Sequence, residues 1–231
     1  MKLTVTVITY NEAAHIAAAL DSVAWADEII VVDSGSTDGT AEIARAKATR
    51  VITREWSGYS AQKNFAADQA SNDWVLSMDA DERVTPALAA EIRALLGRGP
   101  DLKGYRIRRV SFYLGQWVRS TDWFPDFQLR LYDRRAGRWN GMKIHESFRL
   151  AEGPHGQLRG ELEHYAYRDI AHALDLREMR GVDEEDARVG AAGGGPGRGM
   201  RGDLVRHDEA AVRDPAALAH VLLIVDHGLR P

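Results

Sequence analysis

The chain has 231 residues, 45% apolar and 28% charged, with a formal net charge of −4 and no cysteine. That length fits one α/β domain with an added segment, or at most two small domains. Disulfides and thiolate metal sites are excluded, and the mild negative charge gives no ground for whole-protein attraction to nucleic acid. One stretch departs from this mean. Residues 98–149 carry twelve Lys/Arg against five Asp/Glu, which suits either a solvated sheet face or an anion-binding surface. The start, MKLTVTVITYNEA, lacks the apolar core and cleavage site of a signal peptide, and the late apolar run Ala216–Val225 is too short to span a bilayer. The expectation is a soluble protein, or one that only touches a membrane.

In chain order, Leu3–Ile8 is a β-rich run. Asn11 is placed to cap a helix whose Ile16, Leu20 and Val23 or Ala24 share a face. EIIVVD, Glu28–Asp33, is a short apolar strand of the kind covered on both faces. The turn SGSTDGT leads into a helix beginning AEIARAKA, and Arg50–Arg54 is a third strand. Ser60–Ala70 is a third helix, with Ala61, Phe65 and Gln69 on one face. The strand Trp74–Met78 follows, and Thr85-Pro86 starts a fourth helix ending near Leu96-Gly97.

These units predict an α/β fold, a Rossmann-like and mainly parallel sheet with helices on both faces. Ligands in such sheets collect at the carboxyl ends of the strands. Here those ends are Thr9–Glu12, Asp33–Gly39, Trp56–Lys63 and Asp79–Glu82. GYRIRRVSFYLG, PDFQLRLYDRR and WNGMKIHESFRL then read as a mixed, partly antiparallel C-terminal half that closes over the site. After about His172 the pattern decays: GAAGGGPGRGMRG reads as linker, and only residues 211–229 look helical again.

The chemistry concentrates in WVLSMDADERV, where an apolar strand runs into three acids. Asp79 and Asp81, two apart on a strand, are expected to project to the same side as it leaves the sheet. Carboxylates without a neighbouring imidazole or thiol suit Mg²⁺ or Mn²⁺, which usually shares one or two of them with substrate phosphates. The alternative is a surface turn before the next helix, with Glu82 as a cap or a partner of Arg83. Asp33, ending an apolar strand at a glycine turn, either accepts hydrogen bonds from a nucleotide or makes an Asx-turn. Gly35 and Gly39 do not fit G-x-G-x-x-G and follow the second strand rather than the first, and no Walker motif occurs, which disfavours a dinucleotide dehydrogenase and a P-loop NTPase.

VITYNEA, VVDSGSTDGT, SAQKNFA and WVLSMDADERV, in that order, resemble the family 2 glycosyltransferases of the GT-A fold over roughly residues 1–170. WADEIIVVDSGSTDGT, AQKNFA, PDFQLRLYDRR and IHESF look in particular like the bacterial lipopolysaccharide-core β-1,4-glucosyltransferase branch. The resemblance implies a GT-A domain over residues 1–172, with 1–97 binding the nucleotide sugar and 98–172 serving acceptor and catalysis.

It implies that Thr9, Glu12, Asp33 and Ser34 hold the uridine of a UDP-sugar. Lys63 would lie near the diphosphate, unless it is an ordinary exposed helix lysine. Asp79 would lie near the ribose or metal, and Asp81 would ligate Mn²⁺ or Mg²⁺ with His145 as a further ligand. Arg130, with Arg134 and Arg135, would pair with phosphates of the donor or of an anionic acceptor. Trp117, Trp123 and Trp139 are sugar-stacking faces or core. An inverting transferase needs a general base, and Asp126 and Glu146 are the two candidates.

The implied activity moves a hexose, glucose on this resemblance, to a lipopolysaccharide-core or related glycan acceptor. The acceptor would be lipid-linked and the enzyme cytoplasmic, at the inner face of the inner membrane, with no nucleic acid as partner. From Asp169 onward the chain departs from that pattern, replacing a helical, aromatic and basic segment with acidic and then glycine-rich sequence. Poor packing is expected over about residues 175–210, within an atypical tail at 173–231. A second reading is therefore a nucleotide-sugar-binding protein without efficient transfer, and a third is a nucleotidyltransferase-like enzyme.

Overall fold

The computed structural model describes residues 1–113, 115–120, 124–141 and 146–165. His145, Trp123 and the whole tail from 173, including the helix expected at 211–229, lie outside the described residues. The described residues fall within one compact unit, Met1–Arg168.

Strand β1 (Leu3–Thr9) is buried at every position, as an apolar strand at the centre of a covered sheet must be. It pairs in parallel with β2 (Glu28–Asp33) on one side and β4 (Trp74–Asp79) on the other, and β3 (Arg50–Thr53) extends the parallel run beyond β2. The connections are helices α1 (Ile16–Ser22), α2 (Thr40–Arg45) and α3 (Tyr59–Asp68). After β4 a two-residue turn leads to the short β5 (Glu82–Val84) and to α4 (Pro86–Arg98), where Thr85 Oγ1 accepts from the Leu88 amide as the helix cap.

The second half supplies β6 (Gly104–Tyr113), β7 (Gln116–Val118), β8 (Asp126–Asp133), β9 (Gly137–Trp139), β10 (Phe148–Leu150) and β11 (Gly156–His164). The main sheet runs β3-β2-β1-β4-β8-β6-β11-β5, with β7 against β6, while β9 and β10 form a separate ribbon. Pairing is parallel from β3 to β4, antiparallel through β8, and parallel again between β6 and β11. This alternation brings the ends of β4, β6 and β11 and the starts of β5 and β8 to one edge of the sheet.

Three local expectations differ. Asn11 does not cap α1, which begins after His15. It takes a positive φ of 53° instead, and its Oδ1 accepts from the Thr37 amide 2.9 Å away. Asn tolerates that left-handed conformation better than most residues, so here it serves a turn rather than a cap. Helix α3 buries Ser60, Gln62, Lys63, Ala66 and Ala67, not the face carrying Ala61, Phe65 and Gln69. Phe65 stays partly exposed beneath the Arg54 guanidinium, 4.4 Å from its ring. Strand β11 went unforeseen among polar residues; it is held by pairing to β6 and β5 on either side and by close packing of Gly160 on α4.

The core lies between the sheet and α1, α2 and α4, around Val5, Val7, Leu20, Leu76, Leu88 and Ile107. A smaller cluster under the ribbon stacks Tyr132 on Phe148, with ring centroids 3.6 Å apart.

Candidate active site

The carboxyl ends of β1 and β2 are locked together by their own loops. Asp33 Oδ2 accepts the amides of Gly35 and Ser36 at 3.0 and 3.1 Å, and Ser36 Oγ donates to Asp33 Oδ1 at 2.5 Å. This is the Asx-turn alternative for Asp33, with both carboxylate oxygens engaged. The Asn11 amide donates to Ser36 Oγ, the Glu12 amide to Thr40 Oγ1 and the Ala13 amide to Asp38 Oδ2. Asp38 is held below the usual carboxylate range: burial opposes this, but bonds from Thr40 and from the Ala13 amide prevail. Thr9 is buried, and its hydroxyl has no hydrogen-bond partner among the described residues. Ser34 Oγ accepts from Gln62 Nε2 at 3.1 Å, tying α3 to the same rim.

Beside this rim lies a network of buried charges. Lys63, expected near a diphosphate or exposed on its helix, has a side chain only 1% exposed. Its Nζ lies 3.1 Å from Asp79 Oδ1 and 2.9 Å from Glu146 Oε1, and 4.7 Å from the centre of the Trp139 ring. Arg130, on β8, donates through Nη2 to Asp79 Oδ2 at 2.7 Å and Glu82 Oε1 at 2.8 Å. Arg109, on β6, binds Asp126 Oδ2 through Nε at 2.8 Å and Nη2 at 2.7 Å, and approaches Glu82 Oε1 at 3.5 Å. Gln128 Nε2 donates to the other oxygen of Asp126 at 2.6 Å.

Asp79 and Asp81 do not point to a common partner. A turn at Ala80 and Asp81 separates them: Asp79 faces Lys63 and Arg130, whereas Asp81 Oδ2 lies 3.3 Å from His164 Nε2. His164 Nδ1 is in turn 3.2 Å from Ser111 Oγ. Glu82 is fully buried and pairs with Arg130 and Arg109, while Arg83 stacks over the Tyr165 ring at 3.8 Å.

Burial would raise the Asp79 carboxyl, but Arg130 and Lys63 override it and hold it far below the usual range. Burial also opposes ionisation of Asp81, and His164 outweighs it, so that carboxyl is lowered too. For Glu82, burial prevails over the two arginines and pushes the carboxyl up.

Five carboxylates, Asp79, Asp81, Glu82, Asp126 and Glu146, thus share one edge with the basic side chains of Lys63, Arg109 and Arg130. When all are ionised, negative charge is in excess by two. No cluster of three or more His, Asp or Glu able to cage a metal is present among the described residues. With Asp79 and Asp81 facing different partners, the edge offers one or two carboxylates to a cation, whose remaining ligands would be substrate phosphates and water.

Other expected residues lie elsewhere. Arg134 and Arg135 sit at the opposite end of β8, where Asp133 pairs with Trp74 at the start of β4, and they bind Asn72 O, Asp73 and Asp133. Five residues of strand, roughly 16 Å, separate them from Asp79. Trp139 is buried, its Nε1 donating to the Tyr132 hydroxyl, so it serves the core beneath the two cations. Trp117 packs against Phe112 and Tyr165. Sequence reasoning missed Arg109 and His164. Arg109 stood in view in the alternating RIRRV, but only the register Arg109↔Asp126 gives it meaning.

The chain that carries this edge on a mixed sheet belongs to glycosyl transferase family 2, whose model matches residues 4–150. The lipopolysaccharide core biosynthesis glycosyltransferase LpsC of Rhizobium meliloti is 34% identical over 172 residues, 71% of this chain and 63% of LpsC. An uncharacterized glycosyltransferase of Rickettsia prowazekii is 48% identical over 117 residues, 49% of this chain and 40% of that protein. The chain thus spans less than two thirds of the length of these curated relatives. Among solved structures, S. aureus TarS 1–349 in complex with UDP-GlcNAc has a TM-score of 0.55 at 20% identity, covering 75% of this chain and 61% of TarS 1–349. That likeness establishes the GT-A fold.

Proposed function

We propose that the chain binds a UDP-sugar at the carboxyl edge of β1, β2 and β4 and transfers its hexose, with inversion, to a glycan acceptor. The observation that carries this reading is the excess of carboxylates over buried cations at the end of β4, which suits a divalent cation together with a diphosphate. The kinship with LpsC supports a lipopolysaccharide-core type of acceptor. A lipid-linked acceptor and glucose as the sugar rest on the resemblance of WADEIIVVDSGSTDGT, AQKNFA, PDFQLRLYDRR and IHESF to the core glucosyltransferase branch. Residues 1–97 form the donor half and 98–172 the acceptor half. Mn²⁺ or Mg²⁺ would be held by Asp81, with Asp79 and with His145 outside the described residues; when bound, it offsets the charge of the departing diphosphate.

Thr9, Glu12, Asp33 and Ser34 shape the uridine site. Asp33 does so by stiffening its turn, since both its oxygens are engaged. Lys63 and Arg130 hold Asp79 in place and add positive potential beside the diphosphate. Asp126, 28% exposed at the start of β8 and on the same edge as Asp79, takes the proton of the acceptor hydroxyl. Glu146 is the alternative base, favoured by its link through Lys63 to Asp79. No helix among the described residues is long and apolar enough to cross a membrane; peripheral contact at the cytoplasmic face of the inner membrane rests on the sequence resemblance alone.

Calorimetric titration with UDP- and GDP-sugars, with Mn²⁺ or with chelator, tests the reading. UDP-sugar affinity should fall at least ~10-fold in chelator or in Asp81→Ala, as expected on loss of metal-bridged phosphate binding. Equal affinity in all three conditions would sink the metal-dependent reading. Donor binding with neither transfer nor slow hydrolysis would favour the binding protein without turnover.

A further inference from the structure

Glu82 is fully buried, yet it is a carboxylate, and burying such a charge is costly unless it is paired. Its two oxygens have separate partners. Oε2 accepts the Asp79 amide at 2.9 Å and closes the turn between β4 and β5. Oε1 receives Arg130 Nη2 at 2.8 Å and Arg109 Nη1 at 3.5 Å. The turn needs only a neutral acceptor, which a glutamine carbonyl would supply. Since Oε2 accepts an amide and Oε1 faces two guanidinium donors, neither oxygen has an acceptor to which a proton could be given, and this geometry fits the ionised form although burial raises the carboxyl.

Each arginine also holds a second carboxylate: Arg130 holds Asp79, and Arg109 holds Asp126. Arg130 Nε and Nη1 have no hydrogen-bond partner among the described residues, so Asp79 and Glu82 are what fix its guanidinium there. An unbroken path thus runs Asp79–Arg130–Glu82–Arg109–Asp126, crossing β4, β8, β5 and β6.

We propose that Glu82 is a positioning residue: its single charge holds Arg130 against the donor-side Asp79 and Arg109 against the acceptor-side Asp126, setting the two sides of the site relative to each other. This inference rests on the reading of Asp126 as the base. A purely structural Glu82 would do no more than close the turn.

Glu82→Gln separates the two roles, because it keeps the turn acceptor and removes the charge. With UDP-sugar and acceptor, the variant should lose at least ~30-fold in kcat with donor KM within ~3-fold, the signature of a lost transition-state arrangement. In an Asp126→Asn background the same change should cost less than ~3-fold, since groups acting as one unit are non-additive. A kcat within twofold of the parent, or an equal loss in both backgrounds, overturns the proposal.

A second measurement needs no turnover. In nitrogen-15 spectra of the ligand-free protein, Glu82→Gln should shift and broaden the Arg109 and Arg130 Nε–H signals while backbone amides of β6 and β8 keep their exchange protection. Unmoved arginine signals overturn the proposal. If the parent protein neither binds nor consumes a UDP-sugar, the transferase reading fails, and the arginine signals alone decide the role of Glu82.

Discussion

At the scale of single residues, the site is governed by how costly it is to leave a buried charge alone. Lys63 is the clearest case, with its ammonium enclosed by Asp79, Glu146 and the Trp139 ring. Lys63→Met keeps the length of the side chain but strips both carboxylates of a partner. Breaking such a pair costs about 3–5 kcal/mol, so the variant should unfold at distinctly lower urea at neutral pH. An unshifted midpoint would mean that Arg130 and solvent suffice for these acids without Lys63.

The two candidate bases can be told apart in the same way. Asp126→Asn should lower kcat by ~10²-fold or more with donor affinity kept, whereas Glu146→Gln should act mainly on donor binding. The reverse pattern would transfer the role to Glu146. In the sequence the three acids of WVLSMDADERV were legible as a site, but their partners were not. Lys63, Arg109, Arg130 and His164 lie between 16 and 83 residues from the acids they meet, and no local spacing signals such pairs.

At the scale of elements, the parallel half was legible because its strands are short apolar runs punctuated by turn residues. β2 begins and ends at the expected residues, Glu28 and Asp33. Helix α3 was misread on its inner face because periodicity marks apolar residues, whereas this helix turns Gln62 and Lys63 toward a polar site. Strand β11 was missed because half its residues are polar and its place depends on two partner strands. Its packing is close: a Cβ at Gly160 would fall 2.5 Å from Leu88 Cα in α4. Gly160→Ala must therefore push helix from strand. Such overpacking typically costs about 1–3 kcal/mol, or roughly 2–4 °C in Tm per kcal/mol for a chain of this size. Calorimetric melting checks this, and an unchanged Tm would show that α4 gives way freely.

At the scale of the whole molecule, the locally basic stretch from 98 to 149 is largely consumed by internal pairing. Arg109 and Arg130 serve the site, while Arg135 grips Asp133 with Nε and Nη2 at 2.9 and 2.8 Å. Those bonds from Arg135 outweigh the effect of burial and pull the Asp133 carboxyl down to about 2. A carboxyl lowered on folding contributes stability above its unfolded value and loses it as pH falls through the folded value. Asp133→Asn should therefore destabilise the protein at pH 6, with the difference from the parent shrinking between pH ~4 and pH ~2. Denaturant titrations across that range provide the check; a difference that grows on acidification would contradict the assignment.

By itself the sequence determined the α/β class, the parallel character of the first four strands and the family, because hydrophobic period and turn chemistry are local properties. It also marked the end of β4 as the acidic centre. Only the tertiary structure decided which charges meet there, since antiparallel β8 and parallel β11 return distant residues to that edge. The same folding engages Asp33 in its own turn, buries Lys63, and makes Glu82 the shared partner of two arginines.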